Sequence, residues 1–130
     1  ELIELIKKIK KQYPNHLLIQ NSGAELIEDT NKSVDAILFE SVATNFSFKD
    51  NVYKLREIKD YTAYLERLKA IHSKFKLPVI LVEYADNQKL YSEVINRLAS
   101  TKFEYFIGKI DLQTIPNFTK TIKWYFPAPY

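Results

Sequence analysis

Polar side chains sit at or near the ends of three apolar runs in this chain. "HLLIQN" ends on Asn21, "AILFE" ends on Glu40, and "VILVEY" carries Glu83 and Tyr84 at its close. A carboxyl group placed directly after four apolar residues is desolvated unless a partner or substrate meets it. Desolvation raises its pKa toward the range useful to a general acid. Glu40 follows "AILF" and Glu83 follows "VILV", so the arrangement occurs twice. Two carboxylates across a cleft are the usual equipment of glycoside hydrolysis. Pairing of each Glu with a Lys or Arg at the rim of a sheet would produce the same pattern without any chemistry.

Other chemistries lack their residues. The chain has two glycines, Gly23 and Gly108, too far apart for a phosphate-cradling loop, so a nucleotide or dinucleotide site is not expected. His16 and His72 fall at the amino end of a strand and near the end of a helix, the wrong ends for catalysis in a parallel α/β fold. There is no G-x-S-x-G elbow and no metal-ligand spacing. No Cys is present, which removes disulfides and thiolate metal sites. No cofactor is expected.

The elements that must position Asn21, Glu40 and Glu83 follow from periodicity. Leu2, Ile6, Ile9 and Tyr13 recur at helical spacing and Pro14 ends the pattern. "HLLIQN" reads as a buried strand, and Gly23 permits a tight turn into a short helix, "AELIEDT". "DAILFE" is the next strand, followed by a long irregular stretch from Ser41 to about Lys59. Tyr61, Tyr64, Leu65, Leu68, His72 and Phe75 mark one face of a helix that Asp60 would cap. Pro78 introduces "VILVEY", and Asp86 opens a helix with Leu90, Tyr91, Val94, Ile95 and Leu98 on its face. "FEYFIGK" is the fourth strand. Asp111 would cap a final turn, and "WYFPAPY" is a tail too rich in Pro to be regular.

Alternating helices and strands demand right-handed crossovers and a parallel sheet. Two architectures satisfy this: an open doubly wound sheet or an arc of a β/α barrel. Both gather their chemistry at the carboxyl ends of the strands, which is where Asn21, Glu40 and Glu83 fall. The length of 130 residues suits one domain spanning 1–130, and 46% hydrophobic with 27% charged residues is ordinary for a globular chain. No apolar run approaches the length that spans a bilayer. The net charge of +3 is small, and "KKIKK" (Lys7 to Lys11) ends a helix, where cations complement the dipole, so nucleic acid is not an expected partner. Aromatics make up 14%, which suits sugar stacking and core packing alike. No Met occurs even at position 1, which points to a processed chain or a piece of a longer one.

"YPNHLLIQNSGAELIED" followed by "VDAILFESVATN" resembles the polygalactosaminidase-like glycosidases, glycoside hydrolase family 114. Shared features are a strand ending in Asn, a Gly with a short helix, and a strand of the form apolar run, Glu, Ser. "LPVILVEYAD" resembles the next segment, where members carry Asp-Tyr-Ala and this chain has Glu83, Tyr84 and Ala85, an acid one methylene longer. "FEYFIGKIDLQTIP" is similar to the closing strand and turn. The match runs from Glu1 to about Pro116.

The resemblance implies a TIM-type barrel acting on α-1,4-linked galactosamine polymers. Glu40 matches a catalytic carboxylate on the sixth strand. Its partner in the family is an Asp near the end of the fourth strand, in a motif like F-D-G-x-F-L-D that this chain lacks. The chain then corresponds to strands five to eight, the C-terminal half of a barrel of about 250 residues. A half barrel has bare edges and an exposed apolar face. Its expected partners are therefore an N-terminal half-barrel or a second copy of itself, besides the polysaccharide. On this reading Glu40 is the general acid, and Asn21 bonds substrate or holds Glu40. Glu83 and Tyr84 line the sugar site, and Asn45, with Phe46, walls a subsite. The alternative is a non-catalytic fragment, or a carbohydrate-binding or interaction module that keeps the fold. Compartment is not readable from the residues; the resemblance leans toward secreted or envelope proteins.

Overall fold

The structure is a computed structural model that describes residues 1–113 of the chain. The expected tail "WYFPAPY" lies outside the described residues. Four parallel strands, β1 (Ile19–Asn21), β2 (Ala36–Glu40), β5 (Val79–Tyr84) and β6 (Glu104–Gly108), form one sheet in the order β1-β2-β5-β6. A separate antiparallel hairpin, β3 (Thr44–Ser47) and β4 (Val52–Leu55), follows β2. The helices are α1 (Leu2–Gln12), α2 (Ile27–Thr30), α3 (Ile58–Phe75) and α4 (Gln88–Leu98).

Strand order decides between the two architectures. A doubly wound sheet reverses its order at a switch point and carries helices on both faces. Here each new parallel strand is added on the same side of the last. Right-handed crossovers then place every connecting helix on one face. The core agrees. Ile37, Phe39, Val79, Leu81 and Ile107 alternate along the strands and pack with Ile27 of α2, Leu65, Leu68 and Ile71 of α3, and Leu90, Val94 and Leu98 of α4. Leu38, Ile80, Val82 and Phe106, on the opposite face by the two-residue period of a strand, are only partly buried and lie outside that core. The sheet is an arc of a barrel, and among the described residues no helix packs on its inner face.

The helices follow their residues. Leu90, Val94 and Leu98 are spaced to bury one stripe of α4, and Asn87 caps it by accepting the Leu90 N–H at 3.0 Å. The expected opener, Asp86, lies one residue outside that cap. Asp60 likewise does not cap α3: it lies inside the helix, whose N-cap is Glu57 with no side-chain bond. The interval from Ser41 to Lys59, expected to be irregular, contains the hairpin and the start of α3. Its strands are four residues each, too short for alternation to stand out. The first strand begins at Ile19 rather than His16, and Leu17 is 75% exposed at that edge.

α1 buries none of its residues fully: Ile6 packs half-buried against the core, and polar contacts tie the helix to the segments before β1 and β2. Lys10 Nζ lies 2.8 Å from Asp35 Oδ2 and also donates to the His16 carbonyl; Asp35 Oδ2 accepts the Leu18 N–H as well. The Lys10 bond, with help from the Leu18 amide, holds the Asp35 carboxyl below its usual range. A depressed pKa contributes stability above the unfolded value of about 4 and loses it as pH falls through the lower folded value. Acidification below about pH 4 should therefore loosen α1 before the core melts, seen as faster amide exchange in α1 than in α3 and α4. Asp35→Asn should show that exchange already at neutral pH; unchanged α1 protection in both cases would refute the anchor.

Candidate functional site

Strand register brings three expected residues together. Asn21 pairs with Leu38, and Glu40, two residues further along β2, shares the open face with both. Glu40 pairs with Val82, and Tyr84 lies two residues beyond it on that face. The result is a row across the carboxyl ends of three adjacent strands. Asn21 Nδ2 donates to Glu40 Oε1 at 3.3 Å, and Tyr84 Oη donates to Glu40 Oε2 at 2.5 Å. Each oxygen of Glu40 is thus held by a different neighbouring strand. Burial, with the bond to Glu40 and its charge, pushes the Tyr84 hydroxyl well above the ordinary tyrosine range, so it stays a donor at neutral pH.

Glu40 itself is exposed, against the expectation that the apolar run before it would desolvate it. The reason is geometric: the run packs on helices through Ile37 and Phe39, whereas Glu40 faces the side on which no helix of the described residues packs.

Glu83 is the buried carboxylate, with no exposed surface. It lies on the helix-side face with Leu81, one residue out of phase with Tyr84, so it does not line the open face as expected for a sugar contact. Its Oε1 accepts the N–H groups of Val42 and Ala43 at 3.0 and 2.8 Å; its Oε2 accepts the Thr44 N–H at 2.9 Å and the Thr44 hydroxyl at 2.6 Å. Burial pushes the Glu83 carboxyl up from its usual range, while the Thr44 hydroxyl and the three amides pull it back.

The carbonyls of the same turn are held by arginines. Arg56 donates to the Ser41 carbonyl through Nε at 3.1 Å and Nη2 at 2.7 Å, and Arg97 Nη1 bridges the carbonyls of Ala43 and Arg56. Thr44, Arg56 and Arg97 were not legible as site residues, because their role depends on a turn whose shape periodicity does not reveal. Ser41 turns the chain away from Glu40 in the left-handed region, φ 55°, and Ser22 does the same after Asn21, φ 59°. Next to Ser22, Gly23 is left-handed with φ 68°, the conformation that glycine adopts without strain.

Asn45 is half-buried on β3, one residue beyond Thr44, and is placed in no bond with Glu40. Phe46 stacks edge-on against Phe48 and Tyr53, with centroids 4.8 and 4.7 Å apart, and Phe48 is 82% exposed at the hairpin tip. His72 Nδ1 lies 2.8 Å from the Leu77 carbonyl, and its ring meets Phe103 edge-on; His16 meets Tyr13. Both are away from the row, as expected. Among the described residues no group of three His, Cys, Asp or Glu is arranged to hold a metal, and no helix is long and apolar enough to cross a membrane.

A one-sided arc of parallel β/α units is the architecture of part of a β/α barrel. The solved structure of the glycoside hydrolase domain of PelA from Pseudomonas aeruginosa is similar to this chain, with a TM-score of 0.74 at 18% identity. The likeness covers 88% of this chain and 46% of that one. A glutamate-to-alanine variant of the same domain matches equally, with a TM-score of 0.74 at 17% identity. No protein-family model and no curated protein matches the sequence. The chain thus shares the fold of part of that glycoside hydrolase domain and spans under half of its length.

The two donors to Glu40 differ in geometry. Tyr84→Phe should destabilise the chain by about 1 kcal/mol, through loss of a short charge-assisted bond. Asn21→Ala, at an exposed 3.3 Å contact, should cost under about 0.5 kcal/mol. Urea unfolding of both variants checks the order, and an equal or reversed pair of values would contradict it.

Proposed function

We propose that this chain supplies one catalytic wall of a glycoside hydrolase acting on α-1,4-linked galactosamine polymers, with Glu40 as the general acid. The supporting observation is that Glu40 stands at the carboxyl end of an inner strand, on the open face, with each oxygen oriented by a donor from an adjacent strand. In this role Glu40 gives its proton to the glycosidic oxygen as the bond to the anomeric carbon breaks. Asn21 and Tyr84 then stabilise the charge left on Glu40.

The second carboxylate comes from outside the chain. Of the three strand glutamates, Glu83 faces the helices and Glu104 opens β6, at the amino end of the sheet. A complementary N-terminal half-barrel, or a second copy of this chain, would cover Leu38, Ile80, Val82 and Phe106 and desolvate Glu40. The partner carboxylate would act as base or nucleophile according to its separation from Glu40. An acidic cleft suits an amine-bearing polymer by charge. Tyr84 lines the sugar site through its hydroxyl, and Asn45 and Phe46 form a subsite wall on the hairpin. A second reading, a carbohydrate-binding or interaction module without catalysis, is favoured by the orientation of Glu83, which leaves Glu40 without a strand carboxylate opposite it.

Mixing the chain with a complementary half-barrel and galactosamine oligomers should yield shorter oligomers, read by mass spectrometry. Glu40→Gln should lower the rate about 10²–10⁴-fold, the usual contribution of a general acid. Undiminished cleavage by that variant would remove Glu40 from the mechanism, and oligomer binding without cleavage by the parent mixture would select the second reading.

A further inference from the structure

Glu83 is fully buried, charged in type and absent from the proposed proton transfer. Four donors converge on it, three of them successive backbone N–H groups of the turn that leaves Glu40. A carboxylate burial of this kind is costly unless its acceptor sites are filled, so its geometry is tightly specified. The Thr44 hydroxyl is also polarised in one direction. It donates to Glu83 Oε2 at 2.6 Å and accepts the Tyr84 N–H at 3.1 Å.

We infer that Glu83 is a positioning residue for Glu40, acting along two routes that meet at the acid. One route is covalent: Glu83 holds the N–H groups of Val42, Ala43 and Thr44, and Ser41 joins that turn to Glu40. The other runs through Thr44 to the Tyr84 backbone, and so to the phenol that donates to Glu40 Oε2. This role rests on the reading of Glu40 as the acid. It extends that reading to a residue on the opposite face of the sheet that touches neither substrate nor Glu40. Arg56 and Arg97 complete the clamp from the carbonyl side, leaving the turn few degrees of freedom of its own. Glutamine at position 83 would keep the shape but turn an amide N–H₂ toward amide or hydroxyl donors.

The test reads the side-chain carboxyl ¹³C resonance of Glu40 in the full chain, assigned by its disappearance in Glu40→Gln. Glu83→Gln should move this resonance from its parent position, and Glu83→Asp, which keeps the acceptor, should bring it part of the way back. Val94→Ala, a cavity in the α4 core that removes none of the hydrogen bonds made to the turn, should lower stability without moving it. An unmoved resonance in folded Glu83→Gln, or an equal displacement in Val94→Ala, would overturn the inference. If Glu83→Gln does not fold, Thr44→Val decides, since it removes the hydroxyl link and keeps the amide: a moved resonance supports the role and an unmoved one refutes it. The readout needs no cleavage, so a failure of the hydrolase reading shows in the oligomer assay and leaves this result intact.

Discussion

The structure depends on a parallel sheet that, among the described residues, carries its helices on one face. Strand order β1-β2-β5-β6 and right-handed crossovers place all the connecting helices together, so alternate side chains meet two different worlds. One set, Ile37, Phe39, Leu81 and Ile107 among them, is buried against helices. The other set, Leu38, Ile80, Val82 and Phe106, is only partly buried and lines a face on which no helix of the described residues packs. Fully burying a large apolar side chain is worth about 1.5–3 kcal/mol, so stability resides on the helix side and an unused driving force remains on the other. Glu40 belongs to the second set, and its exposure follows from that membership rather than from the residues beside it.

The same alternation organises the polar ends of the strands. β1 closes on Gln20 and Asn21, β5 on Glu83 and Tyr84. In each pair the helix-side member holds the following or neighbouring turn. Gln20 donates to the carbonyls of Ser22 and Gly23 and accepts the Thr30 hydroxyl; Glu83 accepts the turn after β2. The open-side member in each pair reaches Glu40. Left-handed Ser22 and Ser41 follow directly, a conformation that costs of order 1–3 kcal/mol for a non-glycine residue and persists only when its surroundings hold it. Gln20, which donates to the Ser22 carbonyl, and Arg56, which donates to the Ser41 carbonyl, provide that hold. The rigidity of the site is therefore built beneath it, on the face the site does not use.

Much of the fold was legible in the residues. The apolar runs of β2 and β5, and the spacing of Leu65 and Leu68 in α3 and of Leu90, Val94 and Leu98 in α4, carry their periods plainly. The hairpin was not, because four-residue strands show too little alternation and its turn has no Asn-Gly or Gly-Gly pair. Helix caps were misplaced by one to three residues because several polar residues precede each helix and only backbone geometry selects among them.

The sequence by itself determined the alternation of helices and strands, the carboxyl-end placement of Asn21, Glu40 and Glu83, and the absence of cysteine and of a glycine-rich loop. These are local properties, set by periodicity and residue type. Only the tertiary structure decided that Tyr84 joins Asn21 at Glu40, that Glu83 faces the helices, and that Arg56 and Arg97 close the turn. Those outcomes depend on strand register and on which face is covered, and a single strand carries no record of its neighbour's phase.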